Sequence, residues 1–286
     1  MINKISVITV TFNAAATLEN TILSVIHQSY PNVEYVIIDG DSSDGTKQII
    51  KKYEPFLGNY ISEKDNGIYD AMNKGIKACT GDWIIFLGAD DVFYNNTIVH
   101  KIFNTYSINE YDFVYGDVIF KIGGKIIGGP KNYNQLIDCN IVHQAIFYKK
   151  DVFHNLQTFN LKYKILADYE LNLRIFRNSS LKKLYIPEVI TLFNNKGISN
   201  TTIDELFFKD QLNYLISEQK ISSNSPLLQQ YYFYYGFAKI FKNEWLSGWG
   251  NLLHALTSGR RKFYFFLMSG KLLLTKMGIG KKITVR

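Results

Sequence analysis

Over the first third of the chain, apolar residues come in short dense runs that end in polar clusters. Ile5 to Val10 is a mostly β-branched run that stops at Thr11, Phe12 and Asn13, which predicts a buried strand followed by a polar loop. Leu18, Ile22, Val25 and Ile26 then fall at helical spacing, predicting a helix over Leu18 to Gln28. A second run, Tyr35 to Ile38, ends at Asp39, and the turn GDSSDGT (Gly40 to Thr46) leads into another helix. The alternation repeats with a helix over Ile68 to Ala78 and a strand over Trp83 to Leu87. Short strand–helix units of this kind predict an α/β fold with a mainly parallel sheet and right-handed crossovers. Ligands of such sheets bind beyond the carboxyl ends of the strands. The polar clusters Thr11 to Asn13, Asp39 to Asp44 and Gly88 to Asp91 sit at those ends.

Further along, strands are predicted over Asp112 to Phe120 and from Ile126, joined through Gly123 and Gly124. Asn140 to Tyr148 and Pro187 to Asn194 read as two more strands, and Asp168 to Phe176 as a helix. Past about residue 203 the β-branched runs disappear and the pattern is helical. This divides the chain into an α/β domain, 1–205, made of two halves, 1–92 and 93–205, and a helical appendage, 206–286.

Charge sharpens that division. The net charge of the 286 residues is +7, yet residues 231–286 hold ten Lys or Arg and a single acidic residue, Glu244. The first 230 residues are close to neutral. The ordinary apolar fraction excludes a disordered chain, and two cysteines, Cys79 and Cys139, exclude a disulfide framework and fit a reducing cytoplasm. No run reaches the eighteen or so apolar residues of a spanning helix, and the apolar run at the N-terminus is too short for a signal peptide.

The candidate chemistry lies in carboxylates. FLGADD (Phe86 to Asp91) is an apolar strand that ends in two adjacent aspartates. Their repulsion calls for compensation, and a divalent cation with a taste for hard oxygen ligands, Mg2+ or Mn2+, supplies it; the plainer alternative is a solvated helix cap. Asp39 and Asp41 can accept hydrogen bonds from a base or ribose, whereas Asp44 has the look of a turn residue. In DNGIYDAMNKGI, Gly67 fits a close backbone approach. Tyr69 or Asp70, Asn73 and Lys74 fall three to four apart on one helix, where Lys74 can meet a phosphate or simply face solvent.

VITVTFN, IIDGDSSDGT, DNGIYDAMNKGI and TGDWIIFLGADD, in that order, resemble a bacterial family 2 glycosyltransferase with the GT-A fold. The resemblance is close over about residues 5–92 and looser through HQAIFY (His143 to Tyr148) and LADYELNLR (Leu166 to Arg174). It implies an inverting transfer of a sugar from a nucleoside-diphosphate donor, a UDP-sugar, to a polyprenyl-diphosphate-linked glycan in surface polysaccharide synthesis. By position it implies nucleotide or donor contacts at Thr11, Asn13, Asp39, Asp41, Asp70, Lys74 and Asp90. The metal site falls on Asp90 and Asp91, with Asp91 the direct ligand. Asp168 falls where the family has its base, and His143, Gln144 and Glu170 in the acceptor or donor-sugar pocket, with Glu170 the alternative carboxylate. Two departures stand out: Gly88 replaces the first aspartate of the commonest metal motif, and Gly40 stands where many members carry an acid for uracil.

In the tail, aromatics alternate with Lys and Arg over amphipathic stretches, a composition suited to an anionic membrane surface. A peripheral enzyme on the inner face of the plasma membrane is the expectation; a cover for the catalytic domain or a dimer contact is the alternative. Nothing else in the chain supports nucleic-acid binding. Two rivals of the enzyme reading are a nucleotidyltransferase and a non-catalytic nucleotide-sugar or glycan-binding module. The first lacks its basic Gly-rich loop, since TFNAAATLEN follows the first strand; the second would be expected to lose Asp90, Asp91 or Asp168.

Overall fold

A computed structural model describes residues 2–194, 204–222, 225–241 and 244–257. The strands are β1 (Ile5–Thr11), β2 (Val33–Asp39), β3 (Asn59–Ser62), β4 (Trp83–Gly88), β5 (Val92–Phe93), β6 (Phe113–Phe120), β7 (Ile126–Ile127), β8 (Ile146–Lys149) and β9 (Lys183–Phe193). The helices are α1 (Leu18–Ile26), α2 (Thr46–Lys52), α3 (Ile68–Ala78), α4 (Ile98–Thr105), α5 (Tyr133–Asp138), α6 (Asp151–Leu156), α7 (Ala167–Arg177), α8 (Glu205–Ser217), α9 (Pro226–Phe241) and α10 (Trp245–Thr257).

One mixed sheet runs in the order β3-β2-β1-β4-β8-β6-β9-β5, with β7 paired to β6. The β3-β2-β1-β4 half is parallel throughout, with Thr11 level with Asp39 and Val10 level with Gly88. All seven residues of β1 are buried, because helices cover both faces, and this is why the strand is a continuous apolar run rather than an alternating one. The register brings the ends of β1, β2 and β4 to one edge, as the pattern predicts. Beyond β4 the sheet turns antiparallel through β8, and β9 returns parallel to β6.

Two expected strands have different bounds. Over 140–148, only Ile146–Lys149 pairs in the sheet. His143–Ala145 forms a 3-10 turn, with the Ala145 amide donating to the Val142 carbonyl at 2.9 Å. A strand would point His143 and Gln144 to opposite faces; the turn takes both out of the ladder. β9 starts at Lys183, ahead of the expected Pro187, because Pro187 lies where the β6–β9 register shifts and no ladder donor is needed there.

Contacts group the chain into two compact units, a discontinuous division where the sequence pattern gives one cut at 205. One comprises Met1–Leu136, Asn140–Leu161 and Asp168–Asn195; the other comprises Ile137–Cys139, Lys162–Ala167 and the described residues within Lys196–Arg286. In the second, Phe233, Tyr234, Phe237 and Ile240 of α9 form a cluster with Leu252 and Ala255 of α10. The Asp204 carboxylate accepts from the amides of Ile165 at 3.0 Å and Phe207 at 3.4 Å, capping α8. The basic aromatic segment 231–286 extends past residue 257 outside the described residues. Among the described residues, no helix is long and apolar enough to cross a membrane.

At the amino ends of the parallel strands, Glu34 is buried in a ring of donors. Its carboxylate accepts from Ser6 Oγ at 2.5 Å, the Thr80 amide at 2.7 Å, Thr80 Oγ1 at 2.6 Å and Lys4 Nζ at 3.0 Å. Burial alone would raise its pKa, but these donors prevail and hold it down at about 2, from an ordinary 4.5. A depressed carboxyl stabilises the fold above its unfolded pKa and loses that contribution as pH falls toward the folded one. Glu34→Gln is therefore expected to lower unfolding free energy by about 2 kcal/mol at pH 7. The difference should shrink as pH falls from about 5 toward 2, as chemical denaturation across that range would reveal.

Candidate active site

The loops after β1 and β2 are stitched into one rim. Asp39, fully buried, accepts from the Ser42 amide at 3.1 Å, Ser42 Oγ at 2.5 Å and Ser62 Oγ at 2.7 Å. Ser42 Oγ in turn accepts from the Asn13 amide at 2.8 Å, and Asn13 Oδ1 accepts from the Ser43 amide at 2.9 Å. Asp39 thus organises the rim from beneath, while Asp41 is exposed and paired with Lys47 at 2.5 Å. Asp44 accepts from the amides of Ala15 and Thr46, each at 3.1 Å, the turn role expected of it. Thr11 Oγ1 is buried and has no hydrogen-bond partner among the described residues. Asp65 is an acid that the sequence reading passed over. Its Oδ2 lies 2.6 Å from where a Cβ on Gly40 would be, so a second loop fills the space left by the missing side chain at 40.

At the end of β4 the two carboxylates converge. A Cβ on Gly88 would lie 2.7 Å from Asp91 Oδ2 and 3.1 Å from Asp90 Oδ1. Any side chain at 88 would fill the space that the two oxygens share, which accounts for the glycine in GADD. Asp91 is buried, at 1% exposure. Its Oδ2 accepts from Gln144 Nε2 at 2.8 Å and the Gly88 amide at 3.2 Å; its Oδ1 accepts from the Asn194 amide at 2.8 Å. Asn194 Nδ2 also donates to Asp90 Oδ2 at 2.6 Å, and Lys121 Nζ to the Asp90 carbonyl at 2.5 Å. Burial pushes the Asp91 carboxyl up to about 6, with the Asp90 charge adding to the rise and the Asn194 amide and Gln144 opposing it. Among the described residues no group of three or more His, Cys, Asp or Glu is arranged to hold a metal, so what they offer here is a carboxylate pair.

Asp168, in the first turn of α7, is buried as well, but its environment acts the other way. Tyr69 Oη donates to Oδ1 at 2.7 Å, Asn140 Nδ2 to Oδ2 at 3.0 Å, and His143 Nδ1 lies 3.4 Å from Oδ2. Burial would raise this carboxyl; contact with His143, the Tyr69 hydroxyl and the amide at Tyr169 outweigh it and keep the group below its ordinary pKa. His143 and Gln144, adjacent in one turn, therefore contact the two carboxylate centres at once: His143 meets Asp168 and Gln144 meets Asp91.

The face of α3 is split. Tyr69 and Asn73 point inward, Asn73 exchanging two hydrogen bonds with the Phe159 backbone at 2.9 and 3.0 Å. Asp70 and Lys74 occupy the outer edge, where Lys74 Nζ meets Glu63 at 2.8 Å and the Lys64 carbonyl at 2.9 Å. Gly67 heads this helix at φ 111°, and a Cβ there would meet nothing within 4 Å, so the backbone angle and not a close approach demands glycine. Glu170 lies two residues past Asp168, some 200° around the helix. It is bound by Arg174 at 2.8 Å, whose guanidinium also donates to the carbonyls of Leu156 and Thr158. That pairing ties α7 to the loop after α6 and sets Glu170 apart from the Asp168 cluster.

Tyr69, Asn140 and Asn194 as carboxylate partners had no signal in the sequence beyond polar residues at element ends. A raised carboxyl costs stability wherever it is ionised in the fold but would ionise more easily unfolded. Relative to Asp91→Asn, the wild type should lose about 2 kcal/mol of unfolding free energy as pH rises from about 4 to 7 in the absence of divalent ions. Paired denaturation curves at the two ends of that range would test it.

Residues 6–184 match the family described as Glycosyl transferase family 2. A PGL/p-HBAD biosynthesis glycosyltransferase of Mycobacterium tuberculosis is 38% identical over 210 residues, covering 71% of this chain and 82% of its own. The Escherichia coli UDP-Glc:alpha-D-GlcNAc-diphosphoundecaprenol beta-1,3-glucosyltransferase WfgD is 26% identical over 213 residues, covering 72% and 81%. Among solved structures, TarS 1-349 of S. aureus in complex with UDP-GlcNAc is similar at a TM-score of 0.66 and 14% identity, over 96% of this chain and 92% of that one. That likeness shows the GT-A fold, a curled and mainly parallel sheet flanked by helices. Matched by the profile over more than half its length, and by that relative at 38% identity, the chain belongs to glycosyl transferase family 2.

Proposed function

We propose that this family 2 glycosyltransferase is an inverting enzyme that moves a hexose or N-acetylhexosamine from a UDP-sugar to a polyprenyl-diphosphate-linked glycan. The observation that carries the reading is the opposed treatment of two buried carboxyls joined by one turn. Asp168 is kept ionised and Asp91 is raised, with Asp90 beside it. Uridine as the base is supported by the donors named for WfgD and for the TarS complex. The lipid-linked acceptor is supported by the diphosphoundecaprenol in the name of WfgD. Work at the inner face of the plasma membrane, in surface polysaccharide synthesis, follows from such an acceptor, and the basic segment 231–286 suits the anionic surface there.

In this reading the nucleotide lies over the rim formed by Thr11, Asn13, Asp39 and Asp41, with Asp70 and Lys74 at its edge. The unpartnered Thr11 Oγ1 is available to it. Asp168 accepts the proton of the acceptor hydroxyl as the oxygen bonds to the anomeric carbon and the bond to the diphosphate oxygen breaks. The nucleoside diphosphate leaves with the electron pair, and the product has the opposite anomeric configuration. A weakly basic carboxylate suffices, because the hydroxyl becomes acidic as its oxygen bonds to a cationic centre. Tyr69, Asn140 and His143 hold Asp168 in place and ionised. Gln144 fixes Asp91, while Glu170, paired with Arg174 on another side of α7, holds that helix to the loop after α6.

The residues present fit a divalent ion, Mn2+ or Mg2+. Two hard oxygen donors converge over Gly88, and a diphosphate would complete the ligand set. Held by Asp90 and Asp91, such an ion would supply neutralisation of the negative charge on the leaving diphosphate.

Transfer and hydrolysis against a panel of nucleotide sugars, with and without Mn2+, test the whole reading. Asp168→Asn should bind donor as the wild type does and slow transfer by about 10²- to 10⁴-fold. Asp91→Ala should lose metal-dependent donor binding. A product of retained configuration, or an Asp168→Asn variant transferring at the wild-type rate, would sink the mechanism.

A further inference from the structure

The outer face of α10 is apolar, although its packing among the described residues does not require it. Its inner face is set by Gly248, Leu252 and Ala255 against α9. The two helices approach so closely at Gly236 and Gly248 that a Cβ on either would come within 2.9 Å of the other's carbonyl oxygen. This close seam, with the cluster around Phe237 and Ile240, accounts for one side of the helix only. On the other side, Leu246 is 93% exposed, Trp249 40% and Leu253 57%. A Cβ on Gly250 would meet nothing within 4 Å. Positions 246, 249, 250 and 253 fall at i, i+3, i+4 and i+7, one stripe on a helix. No charged residue stands in that stripe.

The chain that follows specifies what covers it. Residues 258–286 hold eight Lys or Arg and no acidic residue. A stripe of Leu and Trp continued by a polybasic segment is complementary to an anionic bilayer. There, indole rings favour the headgroup level, leucines the acyl boundary, and the cations the lipid phosphates. A second copy of this chain is a poorer occupant, since pairing two stripes would bring two such basic segments together.

We propose that the outward face of α10, through Leu246 and Trp249, inserts into the interface of an anionic membrane, with the basic sequence of 258–286 supplying the electrostatic attraction. This deepens the membrane-side part of the proposed function and assigns it to an apolar surface. The attachment is then hydrophobic as well as electrostatic, so high salt weakens it without abolishing it.

The test uses the full chain and sedimentation with vesicles of phosphatidylcholine, alone or mixed with phosphatidylglycerol. The wild type is expected to partition onto the mixed vesicles, with a blue shift in tryptophan emission. Of the three tryptophans, Trp83 is buried in the sheet, so the shift reports Trp245 and Trp249. Leu246→Asp and Trp249→Asp should each reduce partitioning by about tenfold or more. Both should leave donor hydrolysis unchanged, which separates this proposal from the catalytic one. Absence of partitioning onto anionic vesicles would overturn it, as would variants that partition like the wild type. A wild type that is dimeric by light scattering and is made monomeric by Leu246→Asp, without vesicle binding, would overturn it in favour of self-association.

Discussion

Like charges held close together repel, and around one turn this protein keeps two buried aspartates, Asp91 and Asp168, with the part-exposed Asp90 beside the first. Water would stabilise them cheaply; the sheet and its loops exclude it, so hydrogen-bond donors must take its place. The donors come from the backbone at Gly88 and Asn194 and from the side chains of Gln144, Asn194, Tyr69, Asn140 and His143. The provision is uneven. Asp168 receives enough to hold its carboxyl below the ordinary value despite burial, whereas Asp91, with the Asp90 charge beside it, is raised to about 6. In the mechanism proposed above, the first would take up a proton and the second would help to hold a cation, although the residue type is the same.

The turn at His143–Ala145 is where the two environments meet. Because consecutive side chains serve different carboxylates, neither centre can shift without disturbing the other. Had the chain continued as a strand, as its apolar pattern predicts, the two side chains would have faced apart. This departure from the expected strand thus falls where one turn meets the hydrogen bonding of both Asp91 and Asp168.

What could be read from the sequence follows the physics of each signal. The first 92 residues were legible because fully buried parallel strands write themselves as unbroken apolar runs, and because their carboxyl ends collect polar residues. Asp90 and Asp91 stood out as acids at a strand end, whereas Asp168 was singled out through the family resemblance of LADYELNLR. Less visible was anything that depends on partners distant in sequence. Tyr69 reaches Asp168 across 99 positions and Asn194 reaches Asp91 across 103, and no local pattern records such a pairing. Gly67 was recognised as special for the wrong reason, since only backbone coordinates separate a positive φ from a close approach. Glu170 was the alternative carboxylate to Asp168 in the sequence, but two residues on a helix turn it to another side, where Arg174 takes it. In the tail, the composition pointed to a membrane surface, while the particular face required knowing which side of α10 packs against α9.

The seniority of Asp90 and Asp91 in the chain bears on how the site comes into being. Ribosomal synthesis delivers them 53 positions before Gln144 and over a hundred before Asn194. Until β9 docks, the parallel half can assemble its hydrogen-bonded ladder, yet the acidic pair at its edge lacks the two donors of Asn194. Long-range closures of this sort are slow relative to local ones. Asn194, the residue that follows β9, therefore acts as a clasp: its arrival adds a donor to each aspartate and ties completion of the sheet to the ordering of the acidic corner.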